Sequence, residues 1–205
     1  MMRTLLLFLF SCGLAFGEDV RDLVNAWKLK YNEALELSRS GRTLAALDAA
    51  MAAAELAPTP DKPQAQALVA TLAAELGDYD LAFATIDPLL GHPAVGWQTW
   101  WNLAISARDG GYPERGVRYA QAALVGMPKP EEGHSLILSM AVSARQLDVA
   151  LEAEKKLGKG KEPELRAALV RALIEGRRCD DARRIASALP TDAGRDADLA
   201  DCSSS

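Results

Sequence analysis

The stretch that decides the fold of this chain begins at Trp97, ends at Pro128 and reads WQTWWNLAISARDGGYPERGVRYAQAALVGMP. Its apolar residues recur every three or four positions on both sides of Gly110-Gly111, a spacing typical of amphipathic helices. A glycine pair between two such runs indicates a turn, and Pro113 suits the first position of the helix that follows. The stretch therefore predicts two helices joined by a tight turn.

The order of large and small residues in this stretch resembles the tetratricopeptide repeat, a helix–turn–helix unit of about 34 residues. With Trp97 as position 1, the family's large, small and proline positions are filled in order. The matching residues are Trp100, Leu103, Ala104, Ala107, Gly116, Ala120, Ala123 and Pro128. Small residues at positions 8 and 20 let the two helices approach closely, while the apolar positions fill the seams within and between units.

Similar copies lie on both sides of this stretch. The five copies fall near residues 27–60, 63–96, 97–130, 131–162 and 163–190. Because such helix pairs bury their apolar faces only by stacking, we expect an all-α protein, an α-α superhelical solenoid of about five helix pairs over residues 18–190. A generic Ala-rich helical bundle is the alternative. Pro88 predicts that the second helix of copy two ends or kinks near Asp87.

The first 17 residues, 1–17, have the features of a secretory signal peptide. A basic residue precedes an apolar run, and Ala15-Phe16-Gly17 supplies small residues at a cleavage site after Gly17. The run is shorter than the roughly 20 residues that span a bilayer, so we expect a periplasmic or secreted mature chain without a transmembrane segment. Leu9-Phe10-Ser11-Cys12 resembles a lipobox, and a lipoprotein anchored through Cys12 is the alternative. Residues 191–205 are predicted to form a polar tail.

Charge and motifs argue against several classes of function. The net charge is −5 with both signs interspersed, whereas a nucleic-acid binder needs a basic face. His92 and His134 fall in a turn and at a helix-packing position, and the sequence has no glycine-rich phosphate loop, histidine pair at metal-ligand spacing or serine elbow. The sequence therefore predicts no catalytic residue, no metal and no cofactor, and so not an enzyme.

In the family that the repeats resemble, the first helix of each unit lines a concave groove. Positions 2, 5, 9 and 12 of that helix lie on one face, and position 6 carries an asparagine that hydrogen-bonds an extended peptide. The resemblance implies a partner-binding groove made of Tyr31, Asn32, Gln98, Trp101, Asn102, Ile105 and Arg108. The alternative is that asparagine simply fits position 6 and has no role in binding a peptide.

Cleavage after Gly17 leaves Cys179 and Cys202 as the two thiols of the mature chain. An even pair in an exported protein suggests a disulfide. Cys179 opens the last helix, expected to run from about Asp180 to Leu189, and the residues beyond it are numerous enough to double back. Two free or intermolecular thiols are the competing interpretation.

The resemblance also implies what the chain does. We expect an exported adaptor or scaffold that binds another protein or a peptide and helps to assemble an envelope complex. The alternative is a self-assembling structural subunit whose end faces stack on copies of itself.

Overall fold

The structure, a computed structural model, describes residues 25–158, 160–189 and 202. Within these residues the regular structure is helical and there is no strand, which confirms the all-α prediction. The helices are α1 over residues 25–39, α2 Thr43–Leu56, α3 Lys62–Glu75, α4 Tyr79–Ile86, α5 Trp97–Asp109, α6 Pro113–Ala123, α7 Pro130–Ser143, α8 Leu147–Lys156, α9 Pro163–Glu175 and α10 Cys179–Ala186. The predicted leader of residues 1–17, and the tail of residues 191–205 apart from Cys202, lie outside the described residues.

The helices divide into two compact units, unit 1 over residues 1–95 with α1 to α4 and unit 2 over residues 96–205 with α5 to α10. In unit 1 α3 packs against both α2 and α4. In unit 2 α6 packs against α5 and α7, α8 packs against α7 and α9, and α9 packs against α10. The predicted helix-pair solenoid is therefore confirmed within each unit, because successive helices stack in chain order.

Every helix pair in the described chain is closed by the same turn. One residue takes a left-handed conformation, and the next backbone N–H donates to a carbonyl five residues back, as in a Schellman motif. The left-handed residues are Gly41, Gly77, Gly111, Arg145 and Arg177. The closing bonds of 2.7–2.9 Å run from the N–H of Arg42, Asp78, Tyr112, Gln146 and Arg178 to the carbonyls of Leu37, Ala73, Ala107, Ala141 and Leu173. The last two pairs thus keep the turn without a glycine at its left-handed position.

Small residues allow the helices of a pair to approach closely. The alanines at positions 8 and 20 of the repeats have no exposed surface: Ala34, Ala46, Ala70, Ala82, Ala104, Ala150 and Ala182. Gly116 takes position 20 in the third pair, and a Cβ added there would lie 3.3 Å from the Ala104 carbonyl oxygen and would overlap Met140 Sδ. The side chain of Met140 therefore occupies space that only a glycine leaves open.

Two helix ends depend on proline. Helix α4 ends at Ile86 and is followed by a 3₁₀ turn, Asp87–Leu89, as Pro88 predicts. Helix α10 ends at Ala186, so the predicted end at Leu189 is wrong. The Ser187 hydroxyl donates to the Arg184 carbonyl at 2.8 Å, and the N–H of Leu189 donates to Ala186 at 3.1 Å, so the chain turns early. Pro190 also disfavours helical geometry at Leu189, the residue that precedes it.

A buried ion pair ties α8 to α9. Arg166 of α9 is buried, its Nε donates to Glu154 Oε1 at 3.0 Å, and its Nη2 donates to the Gly158 carbonyl at 3.2 Å. Arg184 of α10 reaches the other Glu154 oxygen at 3.7 Å. One carboxylate of α8 thus serves both helices of the last pair.

The structure joins Cys179 and Cys202 through a disulfide with their Cα atoms 5.5 Å apart. Cys202 is buried, and its carbonyl accepts a hydrogen bond of 2.8 Å from Arg183 Nη2 on α10. Residue 202 therefore lies against the last helix.

Candidate functional site

Helix α5 has a buried face and an open face. The buried face comprises Trp100, Leu103, Ala104 and Ala107. The Trp100 ring lies 5.8 Å from that of Tyr119 on α6, so this face forms the core of the third pair. The open face carries exposed Gln98, Asn102 and Arg108 and half-buried Trp101 and Ile105. Because an α-helix has 3.6 residues per turn, the buried residues and the open residues lie on different sides of α5.

A cavity of about 470 Å³ adjoins the first half of the open face, and we name it the aromatic cavity. It is lined by Trp97, Gln98, Trp101, Asn102, Met127, Pro128, Lys129 and Glu132. Two indoles one helical turn apart form one wall, and the α6–α7 connection with the start of α7 forms the other. An apolar hollow with a few side-chain amides at its edge suits an apolar side chain whose backbone needs hydrogen-bond partners.

A second cavity of about 280 Å³ adjoins the other half of the open face, and we name it the aliphatic cavity. It is lined by Trp101, Ile105, Arg108, Glu132, Ser135, Leu136, Ser139 and Leu165. Because Trp101 and Glu132 line both cavities, the two adjoin and together form what we call the groove. Its walls come from α5, α7 and α9, the first helices of three successive pairs.

The structure brings five of the predicted site residues together at the groove: Gln98, Trp101, Asn102, Ile105 and Arg108. Tyr31 and Asn32 lie on α1, in unit 1. The repeat pattern marks Trp97 only as a repeat start, and it does not point to Met127 or Lys129. The spacing of Trp97 and Trp101, four residues apart on one helix, is the signal that could have found the first of these.

In unit 1 the tryptophan at the corresponding repeat position is buried. Trp27, which takes the same repeat position as Trp97, is only 4% exposed and packs against Ala57 and Ala65. Tyr31 meets its ring edge-on at 5.8 Å, and Gln64 Nε2 donates to the Tyr31 hydroxyl at 3.3 Å. Trp27 is therefore part of the core, and Tyr31 closes over it.

Two residue differences accompany the open cavity in unit 2. Met127 stands at the repeat position of Ala57, and Gly133 stands at that of Ala65. A Cβ added to Gly133 would lie 2.6 Å from Leu124 Cδ2 and 3.2 Å from Met127 Sδ, so the side chains of Leu124 and Met127 lie over the glycine. Met127 is buried there, while Trp97 is half-buried at the cavity wall.

The charged groups at the groove are held loosely. Lys129 Nζ lies 3.4 Å from Glu132 Oε1, and these side chains are 77% and 57% exposed. Arg108 Nε lies 2.8 Å from Asp109 Oδ1, again between exposed side chains. Exposed pairs contribute about 0–1 kcal/mol each, so a partner can replace them at little cost.

A third cavity, of about 320 Å³, lies between α6, α7 and α8 and includes His134. Leu124, Ile137, Val149 and Ala153 form its apolar part, and Gln121, Asp148, Glu152 and Lys156 are its other polar residues. Partial burial and, to a smaller extent, the nearby Lys156 ammonium lower the pKa of His134. Because the lining residues come from three helices without a spacing motif, the sequence pattern places His134 as a packing residue and does not predict the cavity.

The described residues contain no cluster of three histidine, cysteine or carboxylate side chains that could hold a metal ion. In the same part of the chain, no helix is long and apolar enough to cross a membrane. The groove offers apolar surface, two side-chain amides, two serine hydroxyls and a few exposed charges.

No protein-family model and no curated protein sequence matches this chain. Its structure is similar to one of pilF from Pseudomonas aeruginosa, at 16% identity over 82% of this chain and 76% of that one, with a TM-score of 0.49. It is also similar to TTC0263, a thermophilic TPR protein of Thermus thermophilus, at 21% identity over 85% of this chain and 95% of that one, with a TM-score of 0.45. The assignment of helix-pair repeats rests on the chain's own helices, turns and packing.

Proposed function

We propose that the protein is an adaptor that binds a peptide segment of another protein in the groove of its second unit. The observation that supports this most is the pair of adjoining cavities that share Trp101. Large aromatic side chains in partly desolvated pockets carry much of the energy of protein recognition. Gln98 and Asn102 are exposed at the edge of the aromatic cavity, where amides can pair with the backbone of an extended segment.

The proposal is for binding without catalysis. Neither cavity of the groove is lined by a histidine or a cysteine. A hydroxyl nucleophile there, such as that of Ser135, would lack the histidine base of the common triads, and it donates to Glu162 at 3.0 Å.

Capture experiments test this proposal. Immobilised mature protein, residues 18–205, is incubated with an extract from the source cells, alongside a Trp101→Ala variant. Loss of a buried aromatic anchor costs about 2 kcal/mol or more, so the variant should lose its specific partner. Leu76→Ala, which truncates a side chain 42% exposed in the other unit, is the matched control. Equal capture by the parent and a folded Trp101→Ala variant would contradict the proposal.

We further propose that the protein works outside the cytosol, in the periplasm or after secretion, and aids assembly of an envelope complex. Two features support a location outside the cytosol, the predicted leader of residues 1–17 and the Cys179–Cys202 disulfide, since disulfides persist in oxidising compartments. Intact mass of the protein from its source cells is the test. A chain that begins at Glu18 is expected, while a full-length chain or a lipid on Cys12 would overturn export by this route.

A specific observation also supports self-assembly as a second candidate. Leu44 and Met51 are 67% and 42% exposed, and their seven-residue separation puts them on one side of α2. Exposed apolar side chains on one face favour association. Sedimentation between about 1 and 100 µM, a range that brackets typical weak association, separates the candidates. A monomer throughout supports the adaptor, and a mass that rises with concentration but not in Leu44→Glu supports self-assembly.

A further inference from the structure

We propose that the groove recognises an extended segment with a large and a small apolar side chain two residues apart, flanked on both sides by acidic residues. This inference rests on the proposed function and specifies its ligand. Three properties of the groove support it: the spacing of its cavities, their sizes, and the positions of its charges.

The spacing of the cavities matches that of alternate residues in an extended chain. The α5 residues that line the aromatic and aliphatic cavities are centred about five residues apart, or about 8 Å at the rise of an α-helix. Alternate residues of a strand are about 6.6–6.8 Å apart and point to the same side, whereas adjacent residues point to opposite sides. Trp101 is the wall between the cavities, so two side chains two residues apart would enter on either side of its ring.

The sizes of the cavities decide which apolar side chain enters which cavity. The aromatic cavity, at about 470 Å³, is the larger, and Trp97, Trp101 and Pro128 present flat surfaces to its interior. Such surfaces favour stacking with an aromatic or leucine side chain. The aliphatic cavity, at about 280 Å³, combines the apolar side chains of Ile105, Leu136 and Leu165 with polar groups that include the Ser135 and Ser139 hydroxyls, and its smaller size suits a valine-sized group.

The charges select acidic flanks. Lys129 borders only the aromatic cavity, Arg108 borders only the aliphatic cavity, and Glu132 borders both. The groove therefore carries a cation beside each cavity and Glu132 where the cavities meet, although the whole chain has a net charge of −5. Lys129 pairs with Glu132 and Arg108 with Asp109, and an acidic residue of a partner can replace these weak exposed pairs. Complementary charges steer association and set the register of a bound segment. Acidic residues suit the two flanks, and Glu132 disfavours an acidic residue between the apolar ones.

Met127 is the positioning residue for this specificity. Its side chain lies beside Gly133, at the repeat positions where Ala57 and Ala65 contact Trp27 in unit 1, and it lines the aromatic cavity together with Trp97. Shortening Met127 should let the Trp97 indole move inward and close the cavity to a large side chain.

Titration with synthetic peptides tests the inference. The probe is the capped heptapeptide Gly-Asp-Phe-Ser-Val-Asp-Gly. A shuffled peptide, Gly-Asp-Phe-Val-Ser-Asp-Gly, keeps the composition but makes the apolar residues adjacent, and Gly-Lys-Phe-Ser-Val-Lys-Gly reverses the flanks. Binding to the mature parent protein is followed by tryptophan fluorescence and calorimetry at low salt. We expect the probe to bind about thirtyfold more tightly than the shuffled peptide, the difference expected for one buried anchor, and about fivefold more tightly than the lysine peptide, which loses only exposed charge pairs.

Two variants test the roles of the charges and of Met127. Lys129→Glu changes a side chain that is 77% exposed and should fold normally. It should weaken binding of the probe and strengthen binding of the lysine peptide. Met127→Ala should weaken binding of the probe and change the fluorescence of the free protein, with the thermal melt as the folding control.

Each outcome bears on the inference. Equal binding of the shuffled peptide overturns the spacing, and tighter binding of the lysine peptide to the parent overturns the acidic flanks. If no peptide binds, yet Trp101→Ala abolishes capture of a protein from extracts, this ligand is wrong while the proposed function stands. If neither peptide binding nor Trp101-dependent capture occurs, both fall.

Discussion

The Cys179–Cys202 disulfide should hold the end of the second unit together, and Cys202→Ser is the change that tests it. The bond joins residues 23 apart in the sequence. In the chain-entropy model, closing a loop of that length stabilises the folded state by about 3 kcal/mol. The bond also keeps residue 202 against α10, where the Cys202 carbonyl accepts from Arg183 at 2.8 Å. That hydrogen bond contributes up to about 1 kcal/mol more.

The loss should be concentrated at α10, because the last helix of a repeat stack has a neighbouring helix on one side only. We expect Cys202→Ser, Cys179→Ser and the double variant to unfold at the same lower denaturant concentration, with faster amide exchange in α10. Reduction of the parent should reproduce the variants and leave the variants themselves unchanged. Leu76→Ala in the other unit controls for a general loss of packing.

A thiol count on denatured, unreduced mature protein provides the decisive check. No free thiol and a monomer on a non-reducing gel are expected. Two free thiols per chain, or a covalent dimer, would refute the reasoning. So would a reduced parent that unfolds at the same denaturant concentration as the oxidised protein.

Three further predictions concern residues outside the groove. Arg166→Met should destabilise the protein by about 3 kcal/mol in urea denaturation, because it leaves the Glu154 carboxylate buried with only the distant Arg184 as a partner. The double variant Arg166→Met with Glu154→Leu should recover most of this loss. A single variant within about 1 kcal/mol of the parent would show that the pair is not effectively buried. Arg177→Gly should stabilise by up to about 1 kcal/mol, because Arg177 has φ of 57° and glycine takes this conformation without strain; a lower melting temperature would count against this account of the turn. Folding lowers the pKa of His134 below its ordinary value of 6.5, so its effect on stability is most favourable above pH 6.5 and is lost as the pH falls through the folded pKa. His134→Gln should therefore reduce the fall in melting temperature between pH 7 and 5, and an unchanged fall would contradict the assignment.

The helix pairs could be predicted from sequence because their signals are local. The period of apolar residues, the alanines at the crossings and glycines such as Gly77 and Gly111 each act within one or two helical turns. Arg145 and Arg177 show the limit, since an arginine in a left-handed turn carries no sign of its conformation. Their turns were predictable only from their place in the repeat.

The groove was only partly predictable because cavities depend on side-chain volumes from different elements. Helical phase placed Trp101 and Ile105 on the open face of α5. It could not show that Leu124 and Met127 lie over Gly133, or that Met127 and Trp97 line the same cavity. The same holds for Arg166, a charged residue at a position that periodicity predicts only as helical. Its burial depends on Glu154, twelve residues away on another helix.

The contrast between Trp27 and Trp97 shows that one repeat position can be part of the core in one unit and line a candidate binding site in the other. The Trp27 indole N–H has no acceptor among the described residues, which costs about 1–3 kcal/mol. Burying a tryptophan removes about 150–250 Å² from water, worth about 4–6 kcal/mol, so burial against Ala57 and Ala65 is favourable despite the unpaired donor. In unit 2 the corresponding positions hold Met127 and Gly133, and the side chains of Met127 and Leu124 lie against that glycine. Trp97 is half-buried at the wall of the aromatic cavity, so part of its apolar surface is available to a partner.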